Sequence, residues 1–185
     1  MPRIPVHTVA NAPDAARDTL RVLESTFGKV LNIHGEMAHA PVVLAAYTGI
    51  TAAIGDHGTF DARTREAIAL AVGAVDACEY CQSAHTIGAR AAGWSLEQTV
   101  SLRSAAPIDG DTALTALLAL AREIAGNVGT VGEDTWSAAL SSDWTVHQLA
   151  ELFAHVAVNL FTNYFNHYAH TALDLPAAPP LGGTR

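Results

Sequence analysis

The two cysteines of the chain stand in one run, Cys78-Glu79-Tyr80-Cys81, and His85 follows four residues later. Two thiols at that spacing on a helix can close a small disulfide, and an imidazole one turn on lies on the same face, where it can take a thiol proton. This is the pattern of dithiol redox chemistry. A thiol in the first turn of a helix also feels the positive end of the macrodipole, which favours the reactive thiolate. Helix position points to Cys78 as the thiolate and pairing with His85 points to Cys81, so the spacing leaves both open. Glu66 interrupts the most apolar segment of the chain twelve positions before Cys78. Read as desolvated, its carboxyl has a raised pKa suited to proton exchange near neutral pH; read as a first-turn glutamate, it balances Arg63 or the helix dipole.

A C-x-x-C run also supplies half of a zinc site, which a histidine or Glu66 would complete. Closed zinc sites take four Cys or His ligands, and no second C-x-x-C exists here, so no metal is expected. His34, His39 and His57, each alone in a loop or at a helix edge, read as surface or capping residues.

The elements that must position these groups are helical. Alanine-rich segments with 3.6-residue spacing alternate with short Gly, Pro or Asp breaks and no strand pattern, so the expected fold is all-α. Residues 12–27 form a helix closed by Gly28, and a loop holds His34, Gly35 and Glu36. Pro41 opens a helix to about Ile54, and Asp61 caps an apolar one to about Val75. Asp76, as N-cap with Glu79 in a reciprocal cap, starts the cysteine helix, which Gly93 ends. Ser95 with Gln98 caps a short helix to Arg103. Another runs from 109–111 to about Gly126, and a shorter one surrounds Trp136. Thr145 with Gln148 opens the longest helix, to about Leu173, before a Pro- and Gly-rich stretch stops it. On that helix His155, Asn159, Asn163, Asn166 and His170 share one face, for hydrogen bonding or for solvent. Opposite runs an apolar stripe that includes Leu149, Phe153, Phe161, Tyr164 and Tyr168, wide enough to suggest a subunit interface.

A chain of 185 residues, 50% apolar, is sized for one core, so residues 1–185 are read as a single domain, with its centre at about 25–175 and a mobile stretch at 174–185. The net charge of −8 and the single lysine, Lys29, exclude the basic footprint that nucleic acid requires. No apolar run approaches membrane-spanning length and no secretory leader pattern opens the chain, so neither membrane nor export is expected. The expected location is cytoplasmic, where a lone cysteine pair stays reducible.

Glu66, the gap, Cys78-Glu79-Tyr80-Cys81 and His85 together resemble the active-site signature of the alkylhydroperoxidase D-like, carboxymuconolactone decarboxylase family. Asn163-Tyr164-Phe165-Asn166 and the His39-Ala40-Pro41 helix entry extend the resemblance over most of residues 25–175. The resemblance implies an all-helical fold assembled as homotrimers or homohexamers. It makes Cys81 the thiolate that attacks an organic hydroperoxide and Cys78 the thiol that resolves the sulfenic acid as a disulfide. Glu66 and His85 become the proton relay, and an external dithiol, carried by an electron-donor protein, replaces any bound cofactor. Alkylhydroperoxidase D has a histidine where this chain has Tyr80, and a phenol with a pKa of about 10 is a poorer proton shuttle at pH 7. Two other readings remain: a decarboxylase-like lyase or hydrolase using Glu66 and His85, and a metal-stabilised interaction module without catalysis.

Overall fold

The computed structural model describes residues 1–181. Among them every regular element is helical, in the order α1 Asp14–Phe27, α2 Asn32–Met37, α3 Pro41–His57, α4 Ala62–Val75, α5 Glu79–Ala91, α6 Leu96–Arg103, α7 Thr112–Gly126, α8 Glu133–Ser141 and α9 Val146–Ala169. The boundaries follow local chemistry. Asp61 accepts a hydrogen bond from the Thr64 amide at 2.7 Å and starts α4. Ser95 with Gln98 and Thr145 with Gln148 form reciprocal caps on α6 and α9, each satisfying two otherwise orphaned backbone donors. Gly28 closes α1 at φ +76°, a conformation that costs glycine little.

The central element is α4, which packs against α5, α6, α7 and α9. Ala67, Ile68, Leu70, Ala71 and Val72 are buried on all of its sides, each large side chain contributing about 1.5–3 kcal/mol of transfer free energy. One core joins α4 to Trp94, α7 and the first half of α9. A second is built from α1, α2 and α3 against Tyr80, Cys78 and Cys81. The cysteines thus face the second core, and α4 stands between the two.

Four sequence expectations change. The loop around His34 is the short helix α2, which buries Ile33, His34, Glu36 and Met37; a window of six residues is too short for periodicity to reveal. The N-cap of the cysteine helix is Cys78, not Asp76. Ala77 turns the chain at φ +51° and the Cys78 sulfur accepts from the Cys81 amide at 3.2 Å. Asp76 instead accepts from Asn163 Nδ2 at 2.7 Å. The long helix ends at Ala169, with His170 as a left-handed cap, so His170 leaves the shared face. The stretch from 174, expected to be mobile, is tied down along 174–179: Lys29 pairs with Asp174 at 2.9 Å, the Ala178 amide donates to Ser83 Oγ, and Arg103 donates to the Pro179 carbonyl. The remainder of that expectation, 182–185, lies outside the described residues.

Candidate active site

Both cysteines are free and buried, Cys78 2% and Cys81 3% exposed. Their sulfurs lie 2.6 Å apart and share a hydrogen bond. Asn166 on α9 donates Nδ2 to Cys81 Sγ at 3.2 Å and to Cys78 Sγ at 3.8 Å. The face of α9 singled out in the sequence is therefore a hydrogen-bonding one: Asn159, Asn163 and Asn166 are all buried, and two of them brace the turn that carries the sulfurs.

The shared hydrogen bond shifts the two thiols in opposite directions. The hydrogen bond from Cys81 lowers the Cys78 thiol to about 7 against the pull of burial, aided by the Cys81 amide, His167 and Asn166. The same shared bond, then burial and the neighbouring charge, push Cys81 up. Of the two, Cys78, at the helix N-terminus, is thus the more readily ionised.

His85 Nδ1 lies 2.9 Å from Glu66 Oε2. Burial opposes the charged imidazole, but the hydrogen bond and charge of Glu66, with Cys78 behind them, outweigh it and hold His85 above its ordinary value. The pair is partly open, with side-chain exposures of 31% for His85 and 26% for Glu66. Glu66 is thus neither sealed in the core nor spent on Arg63, whose guanidinium stacks on Trp94. Among the described residues neither sulfur hydrogen-bonds His85; the groups meet through a cavity.

That cavity is about 490 Å³ and is walled by residues of α1–α5, α9 and Leu175. Cys81, His85 and Glu66 open onto it and Cys78 does not. Its volume suits a small organic ligand. A smaller cavity of about 270 Å³ lies on the other side of Glu66 and His85, lined among others by Arg65, His155 and Asn159, and the two share Tyr47 and Thr162.

Among the described residues the Tyr80 hydroxyl bonds neither sulfur. Its hydroxyl donates to Asp174 Oδ1 at 2.8 Å, and burial, with that bond, pushes its pKa up. Asp174, which no sequence signal marked, gathers Tyr80, Lys29 and the Asn32 amide. His34, read as a surface residue, is 2% exposed and lines the larger cavity. Burial lowers its pKa to about 4, and its ring stacks on Tyr47 with centroids 5.5 Å apart. His39 bonds the Pro5 carbonyl, and His57 ends α3. Among the described residues no three His, Cys, Asp or Glu side chains gather as a metal site, and no helix is long and apolar enough to cross a membrane.

Solved structures resemble this fold along nearly its whole length. An alkylhydroperoxidase AhpD core, described as an uncharacterized peroxidase-related protein from Ralstonia eutropha JMP134, superposes with a TM-score of 0.82 at 22% identity, over 94% of this chain and 92% of that one. A cysteine-to-alanine variant of the debrominase Bmp8, in complex with 2,3,4-tribromopyrrole, gives 0.79 at 17% identity, over 92% and 91%. An uncharacterized peroxidase-related protein from Silicibacter sp. TM1040 gives 0.76 at 18%, over 92% and 91%. The fold is therefore all-α and AhpD-like. Residues 41–123, which hold Glu66, both cysteines and His85, match the Carboxymuconolactone decarboxylase family model. No curated protein matches the chain.

Proposed function

We propose that the protein is a thiol-dependent hydroperoxidase that reduces organic hydroperoxides through a Cys78–Cys81 disulfide. The observation that carries this reading is a facing pair of sulfurs, one of them in the wall of a cavity that a histidine–glutamate ion pair shares. In the resting dyad Cys78 is the thiolate and Cys81 the thiol. As a hydroperoxide enters, the proton crosses the 2.6 Å gap to Cys78, and Cys81, which faces the cavity, attacks the terminal peroxide oxygen. The O–O bond breaks, Cys81 becomes a sulfenic acid, and the departing alkoxide takes the proton of His85, whose charge Glu66 had stabilised. Cys78 then attacks the sulfenic sulfur, joining the disulfide and releasing water. Two electrons have left the protein, so an external dithiol, carried by a donor protein, must reopen the bond. A reducing compartment such as the cytoplasm suits this cycle.

Single substitutions test it. Cys81→Ser is expected to abolish hydroperoxide consumption, and Cys78→Ser to leave a sulfenic acid that a dimedone probe traps; equal activity in the two variants would contradict the assigned roles. Activity that survives loss of both cysteines would favour a lyase or hydrolase acting through Glu66 and His85.

The largely apolar cavity favours a second use of the same electrons. A dithiol can remove bromine from an aryl bromide, giving the hydrocarbon, bromide, a proton and a disulfide, and one fold neighbour is described as a debrominase. Stoichiometric bromide release without hydroperoxide turnover would select this reading.

A further inference from the structure

The wall of the larger cavity specifies what it holds. Among the described residues no arginine or lysine lines it, while its ionisable wall groups include the Glu66 carboxylate and Cys81, hydrogen-bonded to Cys78, the more readily ionised of the two thiols. An anionic ligand would be desolvated there beside a carboxylate, with His85, already bound to Glu66, as the one cation among the described wall residues. Much of the remaining wall, with Phe27, Leu31, Ile33, Ile87 and Leu175, is apolar.

Two polar groups in this wall have unsatisfied atoms. His34 forms no hydrogen bond through its side chain among the described residues, its Nδ1 being buried without a partner; Asn166 uses its amide nitrogen on the sulfurs and leaves Oδ1 unpartnered. Buried polar atoms are rarely left unmade, because each costs about 1–3 kcal/mol. A neutral imidazole carries one donor and one acceptor. A hydroxyl or hydroperoxyl group offers the same two functions in return, and the ring stack on Tyr47 holds His34 in place to meet it.

We infer that the cavity binds uncharged, apolar molecules of about the size of a substituted benzene that carry one hydroxyl or hydroperoxyl group, and that His34 is the side chain that selects for that group. This deepens the hydroperoxidase reading and rests on it for the identity of the reacting group, but concerns binding alone. His34 is thus a specificity-determining residue whose contribution depends on the ligand's polar group.

The test uses ligands that cannot react: cumyl alcohol, its para-carboxylate, and isopropylbenzene, which keeps the ring and loses the hydroxyl. Calorimetric titration of the reduced full chain is expected to show cumyl alcohol binding about tenfold or more tighter than either of the others, one good hydrogen bond's worth. His34→Leu is expected to erase most of the preference over isopropylbenzene while leaving isopropylbenzene affinity within about twofold. His34→Asn, which retains a donor and an acceptor, keeps the preference and covers the case in which the leucine variant does not fold. Carboxylate binding as tight as the alcohol, equal losses for alcohol and hydrocarbon in His34→Leu, or no binding of the alcohol overturns the inference. Failure of hydroperoxide to consume thiols while the binding pattern holds overturns only the proposed reaction.

Discussion

At Gly88 an added Cβ would lie 2.6 Å from the carboxyl carbon and both oxygens of Glu66, so the carboxylate that holds His85 fits against α5 only where no side chain projects. Gly88→Ala is expected to drive Glu66 off His85 without touching the thiols. The His85 pKa, followed by NMR titration, should then fall, since burial opposes its charge and Glu66 is the main group that raises it, and hydroperoxide turnover should drop about a hundredfold or more, the scale of a lost proton donor. The two histidines of the cavity also act on stability with opposite signs. The raised pKa of His85 contributes stability that is full below the unfolded value of about 6.5 and is lost as pH rises through the folded one. His34 is lowered to about 4, so the unfolded chain binds its proton first. Its contribution is present above pH 6.5 and disappears as pH falls to 4, about 3 kcal/mol in all. Urea unfolding at those two pH values is expected to show His34→Leu losing about 3 kcal/mol less than the parent chain across the interval.

Among the elements, the segment after α9 is the one whose removal is most informative. Asp174 ties it to Tyr80, Lys29 and Asn32, and Leu175 closes part of the cavity wall. Asp174→Ala is expected to free the segment, so that a thiol reagent titrates Cys81 several-fold faster and a protease cuts after Thr171, while the circular dichroism of the helices is unchanged. The sequence made α4, α6, α7 and α9 legible because each carries a side-chain cap, to which α4, α7 and α9 add a long apolar face. It made the cysteine–histidine–glutamate constellation legible because those residues lie on two consecutive helices, where spacing translates into position. It hid Asp174 and His34 because both act through contacts with residues far away in the chain: Asp174 meets Tyr80 across 94 positions. The shift of the N-cap from Asp76 to Cys78 was hidden for another reason. It depends on Ala77 adopting a left-handed conformation that alanine rarely takes, held by packing of α4 against α5.

At the scale of the whole molecule, α9 leaves one face unburied. Phe153, Tyr164 and Tyr168 are exposed along it, with Leu160 and Phe161 half-buried between them, and single aromatic residues on a surface are ordinary whereas a continuous row is not. We propose that this row packs against other copies of the chain in a homotrimer or homohexamer. Light scattering at micromolar concentration is expected to report at least three chains, and Tyr164→Glu to shift the mass toward one; a single-chain mass for the parent would remove the proposal.

Glu66 and His85 border two cavities at once, the organic one with the sulfur and the smaller one bounded by the exposed Arg65. They form a partition with a door on each side. In the proposed cycle, an imidazole that has just handed its proton to a departing alkoxide can draw the next one from water on the Arg65 side while the alcohol still occupies the other chamber. Resetting the acid and emptying the site are then separate events, and a sluggish release of product would not delay the recharging of the relay.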